Sequence, residues 1–387
     1  METFADGMVR NWASILDEAT KAQAEATAAL PILAGPIALM PDAHFGWGAT
    51  VGSVIATESA VIPSAVGVDI GCGMAARRLD LRLDQLGDDT AERWVAQAAA
   101  LIPAGLGHWH QEPSDEARAW FADHPPPPTL KKAERALVQL GTLGSGNHFV
   151  ELASDEDDAV WILLHSGSRG GGNQLATRHT EKAKRLHAAL GTELADPELA
   201  WLQQGTDEFD AYVRDLGWAQ AYARQNRAML LQGAHAALDT ALGRRTEVVR
   251  DVNCHHNYTE LEQHEGRWLW VTRKGAIRAG VDDRGLIPGS MGQRSYVVRG
   301  LGNPLSYESC SHGAGRALSR TQARKTLSVE TLAERMGGRA WQASDARALL
   351  DEHPEAYKPL EVVMRDQADL VKVEHELQAI ANYKGVS

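Results

Sequence analysis

The chain has few cysteines, which limits how it could be covalently stabilised. Only Cys72, Cys254 and Cys310 occur among its 387 residues, too few for a disulfide framework. Each lies next to a histidine or within a glycine-rich motif, where a thiol can bind a metal or take part in catalysis. We therefore expect a reducing, cytoplasmic location.

Long hydrophobic runs are also missing. No stretch of about 18 apolar residues occurs, so no membrane span is expected. The first residues, Met1 to Asp6, lack the basic start and apolar stretch of a signal peptide. With 44% hydrophobic and 23% charged residues, the composition is typical of globular proteins. The length permits one large or two medium domains.

Basic residues are outnumbered by acidic ones. The 39 Lys and Arg against 51 Asp and Glu give a formal charge of −12, which argues against broad, non-specific binding of nucleic acid. An RNA substrate at a locally basic site stays open. The 15 histidines are numerous for an acidic enzyme, and several lie in glycine-rich motifs that suit metal or phosphate chemistry.

One such motif is Ser309-Cys310-Ser311-His312-Gly313-Ala314-Gly315-Arg316. A histidine followed by Gly-Ala-Gly is a poor core residue, because glycine supplies no packing surface. Glycines let backbone N–H groups close around an anion, and Arg316 offers a planar fork for phosphate. His312 could therefore bind phosphate, ligate a metal or attack phosphorus as a nucleophile. The motif alone does not choose among the three.

Two earlier turns combine candidate ligands. Asp69 and Cys72 stand three residues apart among glycines, and a carboxylate with a thiolate suits Mn²⁺ or Zn²⁺. A turn aspartate and a buried cysteine are the equally weighted alternative. Asp42 and His44, after an apolar run, could support ligands or simply form a turn.

Further histidines occur where predicted strands meet turns. His148 and His165 share this context, each beside glycines, and the repetition favours a common site. His255 and His256 are adjacent in an extended segment, so their side chains point to opposite faces and only one easily reaches such a site.

Other segments predict structure rather than chemistry. Residues 11–30 and 328–352 predict helices, residues 51–68 predict two buried strands, and residues 160–164 predict another. Residues 175–242 are largely helical, including 207–242, so His179, His187 and His235 are interpreted as surface or packing residues. The stretch 105–128, with His108, His110 and four prolines, reads as an exposed connection or lid. Lys384, near the C-terminus, reads locally as a solvated charge.

Together these blocks resemble the RtcB-type RNA-splicing ligases, which depend on GTP and Mn²⁺. Seven blocks follow the order of that family over residues 68–385. They are Val68-Asp69-Ile70-Gly71-Cys72-Gly73, Gly146-Asn147-His148-Phe149, His165-Ser166-Gly167-Ser168-Arg169-Gly170, Asn253-Cys254-His255-His256-Asn257-Tyr258, Pro288-Gly289-Ser290-Met291-Gly292, His312-Gly313-Ala314-Gly315-Arg316 and Lys384-Gly385.

The resemblance implies an α/β fold, with one large catalytic domain over residues 1–387, mixed sheets covered by helices, and a helical insertion at about 174–245. It implies two manganese ions with the ligands Asp69, Cys72, His148, His165 and His256. Within the histidine pair, the family's ligand precedes an asparagine, which selects His256. The guanine nucleotide would contact Asn147, His148, Phe149, Val150, Glu151, His256, Asn257, Pro288, Gly289, Ser290, Met291, Ser295, His312, Gly313, Ala314, Gly315 and Lys384.

The resemblance also implies the reaction. His312 would attack the α-phosphate of GTP, and the GMP it carries would pass to an RNA 3′-phosphate, formed where necessary from a 2′,3′-cyclic phosphate. A 5′-hydroxyl end would then expel GMP and join the strands, in tRNA splicing or RNA repair. Arg169 and Arg316 would hold RNA phosphates, and archease is a candidate activating partner. The bulky run at residues 42–48 departs from the expected family loop and bears on RNA preference.

Two other functions compete with ligation. A metal-dependent phosphoesterase would open cyclic phosphates with the same ligands but without GTP. A non-catalytic RNA-binding protein would need a decayed site, which the intact set of candidate ligands, His312 and Lys384 argues against.

Overall fold

Most strands belong to two large β-sheets in the computed structural model, which describes residues 1–386. The strands are β1 (Glu2–Phe4), β2 (Val9–Asn11), β3 (Ile37–His44), β4 (Val51–Thr57), β5 (Ala60–Val61), β6 (Gly73–Arg82), β7 (Phe149–Ser154), β8 (Ala159–Ser166), β9 (Leu202–Gln203), β10 (Val248–His255), β11 (Asn257–His264), β12 (Arg267–Lys274), β13 (Ala276–Arg278), β14 (Arg284–Ile287), β15 (Ser295–Gly300), β16 (Ser309–Ser311), β17 (Ala340–Trp341) and β18 (Val371–Lys384).

Helices cover these sheets. They are α1 (Glu18–Ala28), α2 (Pro63–Val66), α3 (Thr90–Leu101), α4 (Asp115–Asp123), α5 (Ala133–Gln139), α6 (Arg169–Leu190), α7 (Asp207–Leu242), α8 (Arg320–Thr326), α9 (Val329–Met336) and α10 (Leu360–Asp366). Within residues 1–386, no helix is both long enough and apolar enough to cross a bilayer.

Both large sheets mix strand directions. One has the order β1-β2-β3-β4-β12-β11, and the other has the order β10-β6-β8-β7-β18-β15-β14 with β17 beside β18. Most pairs are antiparallel, but β2–β3 and β17–β18 are parallel. His256 lies between β10 and β11, and so connects an edge of one sheet to an edge of the other. The predicted α/β fold with mixed, helix-covered sheets is confirmed.

The second sheet is buried on both faces, as the continuous apolar run in β8 indicates. Val160, Ile162 and Leu164 pack under α3 and α7, whereas Trp161 and Leu163 face the opposite layer. Because side chains alternate along a strand, His165 continues the second row. This alternation places a histidine at the end of an apolar face.

The long helix α7 agrees with its predicted bounds. Thr206 caps its first turn by accepting from the Phe209 amide, and Gly243 ends it in the left-handed conformation. Helix α6 starts at Arg169, a few residues before the predicted insertion. Both helices pack tightly on the rest of the chain, and α7 covers strands β6 and β8.

Two helical predictions were too long. Of the helix expected over residues 11–30, only the part that forms α1 is helical. The helix begins after its N-cap, Asp17, because Asn11 belongs to β2. The helical stretch expected at 328–352 is interrupted after α9, where Gly337 adopts φ +55°. Strand β17 and short 3₁₀ turns, including Leu350–Glu352, follow. Residues 51–68 were expected to form two strands, but the second, β5, is short and leads into α2.

Candidate active site

A cavity of about 460 Å³ opens between the two large sheets, at the end of the second sheet where β7, β8 and β18 meet. Phe149 and Glu151 alternate with Val150 along β7, so both reach the face that carries His165. Strand β18 adds Lys384 from its last position. The loop after β16 closes the other side with His312.

Five candidate ligands meet at one end of this cavity. The Sγ atom of Cys72 lies 3.2 Å from His165 Nε2 and 3.5 Å from His148 Nε2. His165 Nε2 lies 3.2 Å from His256 Nε2, and His148 Nε2 lies 3.1 Å from Asp69 Oδ2. The donor atoms form two overlapping groups that share Cys72. A thiol common to two groups suits a pair of cations.

The histidine rings are oriented by backbone carbonyls. His148 Nδ1 lies 2.9 Å from the Leu143 carbonyl oxygen, and His165 Nδ1 lies 3.0 Å from that of Asn147. An Nδ1–H donated to a carbonyl leaves Nε2 with a free lone pair directed at the cluster. Metal-binding histidines in proteins are commonly held this way. The donor set therefore fits a transition metal.

Burial controls protonation in this cluster. It raises the pKa of the Cys72 thiol well above its ordinary value, and the charge of Asp69 adds to the rise. It lowers the pKa of His165 and of His256 well below their ordinary values. Burial alone would raise the pKa of Asp69, but the hydrogen bond and charge of His148 outweigh it, and the value falls to about 2. His165 and His256 are thus neutral, as metal ligands must be.

Helix α7 holds the ligand-bearing turns together through two buried polar residues. Asn226 accepts from the amides of Gly141 and Thr142 and donates to the carbonyl of Gly167. Arg227 donates to the carbonyls of Gly71 and Ser166 on the turns beside Cys72 and His165.

The sequence analysis missed Asn226 and Arg227. Their signal is a fully buried amide and guanidinium in the middle of an otherwise amphipathic helix. That signal is invisible until the buried face of α7 is known.

His312 is oriented by a carboxylate from β3. Its Nδ1 lies 2.6 Å from Asp42 Oδ2, and the same oxygen accepts from the backbone amides of His312 and Gly313 at 3.2 Å. Asp42 is fully buried. Because Nδ1 is the ring nitrogen next to Asp42, the Nε2 atom is the nitrogen left for chemistry. Of the two interpretations given to Asp42, the geometry favours a support.

Two glycines make room for this arrangement. Gly275 has φ +61°, and a Cβ there would lie 2.4 Å from Val51 and 3.0 Å from the His312 ring. Gly315 has φ +73°, and a Cβ there would lie 2.2 Å from the Asp42 carbonyl oxygen. A side chain at either position would displace His312 or the strand that orients it.

The other end of the cavity is a buried cluster of charges. Lys384 is 3% exposed, with Nζ 3.3 Å from Glu352 Oε2 and 5.4 Å from the Phe149 ring centre. Its local interpretation as a solvated charge was wrong, because β18 runs through the middle of a sheet. Glu352 also contacts Arg316 at 2.5 Å and Tyr357 at 2.8 Å. Arg316 therefore already has a carboxylate partner.

Glu151 lies nearby, and the pKa of its carboxyl group is unusually high. Burial raises its pKa to about 7, although the Asn382 amide donates to it at 3.0 Å. Between the pH where an unfolded glutamate titrates and about 7, the native state holds an extra proton. The free energy of unfolding therefore falls as pH rises through this window, and levels off above it.

Replacing Glu151 by glutamine should remove this loss. We expect the free energy of unfolding of Glu151→Gln to increase relative to that of the wild type as the pH rises from 5 to 8. The increase should reach up to about 3 kcal/mol. Urea unfolding across this range measures the difference. The exposed Glu193→Gln is the control and should follow the wild-type profile. A Glu151→Gln difference that does not change with pH would contradict the assignment.

Most residues expected at the nucleotide line the cavity, but a few do not. Val150 faces the core under α3 and α7, opposite to Phe149 and Glu151. Ser295 is buried and accepts from the Gly289 amide at 3.3 Å, which places it behind the loop. His148 belongs to the cluster of candidate metal ligands. The lining residues from the predicted set are Asn147, Phe149, Glu151, His256, Asn257, Pro288, Gly289, Ser290, Met291, His312, Gly313, Ala314, Gly315 and Lys384.

Three histidines that do not line this cavity have structural partners. His179 contacts Asp215 at 2.7 Å, and His187 packs on Trp201, as expected of packing residues. His255 Nδ1 lies 2.9 Å from the Gly71 carbonyl oxygen and 3.0 Å from Arg227. Of the adjacent pair, His256 is therefore the one in the cluster.

Comparisons with known proteins agree with the resemblance seen in the sequence. The sequence model of a family described as "tRNA-splicing ligase RtcB" matches residues 23–124 and 114–385. The RNA-splicing ligase RtcB of Escherichia coli K12 is 43% identical over 93% of this chain and 92% of its own length. Those of Mycobacterium tuberculosis and Thermococcus kodakarensis are each 30% identical, over 87% and 94% of this chain and 93% and 88% of their own lengths. This chain belongs to the RtcB family.

Proposed function

We propose that this enzyme is an RNA ligase that joins 2′,3′-cyclic phosphate or 3′-phosphate ends to 5′-hydroxyl ends, with GTP and Mn²⁺. The observation that carries the proposal is the position of His312. Its ring lies 4.7 Å from that of His256, centre to centre, so a nucleophile and a metal-ligand cluster share one cavity. This is the arrangement that phosphoryl transfer to a histidine needs.

The first step uses the pair His312 and Asp42. The Nε2 lone pair of His312 attacks the α-phosphorus of GTP, the N–P bond forms, and the bond to the bridging oxygen breaks as pyrophosphate leaves with the electron pair. Asp42 keeps the proton on Nδ1 and stabilises the positive charge that develops on the ring. The product is a His312–GMP phosphoramidate.

The metal-ligand cluster would serve the same step. Asp69, Cys72, His148, His165 and His256 would hold two Mn²⁺ ions, which supply positive charge for the phosphate oxygens. Mn²⁺ is preferred over Zn²⁺ on the family resemblance, because a thiolate with imidazoles also suits zinc. The chain's own contribution is rigidity, since the carbonyls of Leu143 and Asn147 fix two of the rings.

The nucleotide would occupy the end of the cavity with the buried charges. Glu151 and Lys384 would hydrogen-bond the polar edge of guanine, and Phe149 would offer an apolar ring beside them. Ser290 and the glycines 313–315 would bring hydroxyl and backbone N–H groups to the sugar and phosphates.

Two transfers would complete the reaction. An oxygen of the RNA 3′-phosphate attacks the phosphorus of the His312-bound GMP, and the N–P bond breaks to give RNA(3′)pp(5′)G. The 5′-hydroxyl oxygen of the second strand then attacks the 3′-phosphorus, loses its proton and displaces GMP. Where the first strand ends in a cyclic phosphate, water opens it beforehand.

A GTP requirement tests ligation against simple phosphoester hydrolysis. We expect RNAs with 3′-phosphate and 5′-hydroxyl ends to be joined only when both GTP and Mn²⁺ are present, as resolved on a denaturing gel. A matched pair with 3′-hydroxyl and 5′-phosphate ends is the control and should stay unjoined. Opening of a cyclic phosphate at the same rate with and without GTP, and no joined product, would instead favour the phosphoesterase.

A further inference from the structure

A second groove lies on the outside of α6 and is lined by cations. It has a volume of about 490 Å³ and includes Lys131, Lys132, Arg135 and Arg178 but no carboxylate among the described residues. The acidic residue of this segment, Glu134, is exposed but does not line the groove. Four cations around one groove are unusual in a chain of charge −12.

These cations are also unpaired. Within residues 1–386, none of the four makes an ion pair, whereas arginines elsewhere, such as Arg77 and Arg273, contact carboxylates. Lys131, Lys132, Arg135 and Arg178 are all exposed. A group of cations that form no ion pair produces a positive potential that attracts a polyanion.

An exposed aromatic ring accompanies the cations. Trp109, in the loop 105–110, is 36% exposed, and the Arg135 guanidinium lies 4.4 Å from its ring centre. Surfaces that bind single-stranded nucleic acid combine cations along the backbone with an aromatic ring for a base. Pairing Trp109 with the groove therefore favours a single strand over a generic anion.

The groove is connected to the candidate active site by α6. Gly170 and Gly171 line the groove, and Ser168, just before the helix, donates its amide to Asp69 Oδ1 at 3.0 Å. At about 1.5 Å per residue, Arg178 lies roughly 15 Å along the helix from Ser168. With an axial rise of about 3.4 Å per nucleotide in a helical strand, this distance accommodates up to about four nucleotides.

The loop that carries Trp109 is connected to the same site. His110 donates its amide to the Val138 carbonyl at 3.2 Å, and Gly105 donates to that of Gly144 at 2.7 Å. The intervening Leu143 carbonyl is the one that orients His148. Trp109 is therefore on a segment fixed relative to the metal-ligand cluster.

We propose that Lys131, Lys132, Arg135, Arg178 and Trp109 form a binding surface for a single RNA strand that leads to the active site. The proposal rests on RNA ligation as the proposed function, and names the part of the chain that binds the body of the strand rather than its reacting end. It gives the accessory segment 105–135 a role in substrate binding.

The test compares two triple variants by fluorescence anisotropy with single-stranded 12-nucleotide RNAs, one ending in a 3′-phosphate and one beginning with a 5′-hydroxyl. Lys131→Ala/Lys132→Ala/Arg178→Ala should weaken binding of at least one RNA by roughly tenfold and lower the slope of log K against log salt by about 2. Arg244→Ala/Arg245→Ala/Lys372→Ala is the control, since these residues are exposed and Arg244 follows the far end of α7. It should remain within about twofold of the wild type.

The aromatic part has its own variant. Trp109→Ala should weaken binding of the same RNA by about fivefold or more, and Trp109→Phe should recover most of the affinity. Trp268→Ala, at an exposed tryptophan elsewhere, should leave the affinity unchanged.

Failures of the two proposals are distinguishable. If the groove triple variant binds RNA as the control triple does, the groove proposal is wrong, whatever the wild type does with GTP. If the wild type neither labels His312 nor joins RNA, the ligase proposal is wrong, while the binding comparison still tests the groove. Equal loss of affinity in both triple variants would also overturn the groove, because it would show a general charge effect.

Discussion

Replacing His312 by alanine should abolish the covalent GMP adduct. Incubation of the wild type with α-labelled GTP and Mn²⁺ is expected to leave an acid-labile label on the protein, and His312→Ala should carry none. Joining of RNA should fall by about 10³-fold or more, since the nitrogen that attacks phosphorus is lost. His256, the nearest ring, belongs to the cluster of candidate metal ligands.

Asp42→Asn separates orientation from nucleophilicity. The amide keeps the shape of the side chain but loses the charge opposite His312 Nδ1, so labelling should slow by about 10²-fold or more while His312 remains present. His44→Asn, next to the same turn, is the comparison and should label faster than Asp42→Asn. A fully labelled His312→Ala would move the nucleophile to another residue and end this assignment.

Replacing Cys72 by alanine should have the second large effect, on metal binding. Cys72 is the one donor shared by both groups of ligands, so its loss should weaken Mn²⁺ binding by about 10²-fold or more and reduce RNA joining with it. Because burial raises the pKa of the Cys72 thiol, binding must release its proton, and wild-type affinity should rise with pH. Calorimetric titration with Mn²⁺ at several pH values measures both effects.

Cys254→Ala is the matched control for this experiment. Cys254 lies on β10, close to the cluster in sequence, but contributes no donor to it, so metal affinity and its pH dependence should stay at wild-type values. Equal losses in the two cysteine variants would indicate a general disturbance of the sheet rather than a lost ligand.

Local sequence patterns predicted the elements whose boundaries or buried faces are marked by a clear pattern of residues. Strand β8 is a continuous apolar run, and α7 has a polar cap at Thr206 and a glycine at its end, so both were predicted at or near their true bounds. The helix predicted over residues 11–30 was too long, because Asn11 pairs within a sheet and Trp12 packs in a core formed by residues distant in sequence. Alanine-rich spacing does not reveal that competition.

The residues of the candidate site also divide into those that the sequence predicted and those that it did not. Glycine-bounded histidines such as His165 and His312 could be singled out because glycine is a poor neighbour for a packing residue. Glu352, Tyr357 and Asn382 could not, since each lies in an ordinary local context and reaches the cavity only through tertiary packing. Lys384 shows the difference most clearly: local sequence predicted a solvated charge, and only the family resemblance pointed to the nucleotide.

The position of β18 affects how the protein can be made. This strand lies between β7 and β15, yet it follows every other element in the sequence. During synthesis, the edges of β7 and β15 that pair with β18 therefore stay unpaired until β18 emerges, and unpaired edges are prone to aggregation. Lys384 arrives with the same strand, so a nascent chain holds all five candidate metal ligands before the end of the cavity that contains Lys384 exists. Docking of β18, rather than metal acquisition, would complete the site.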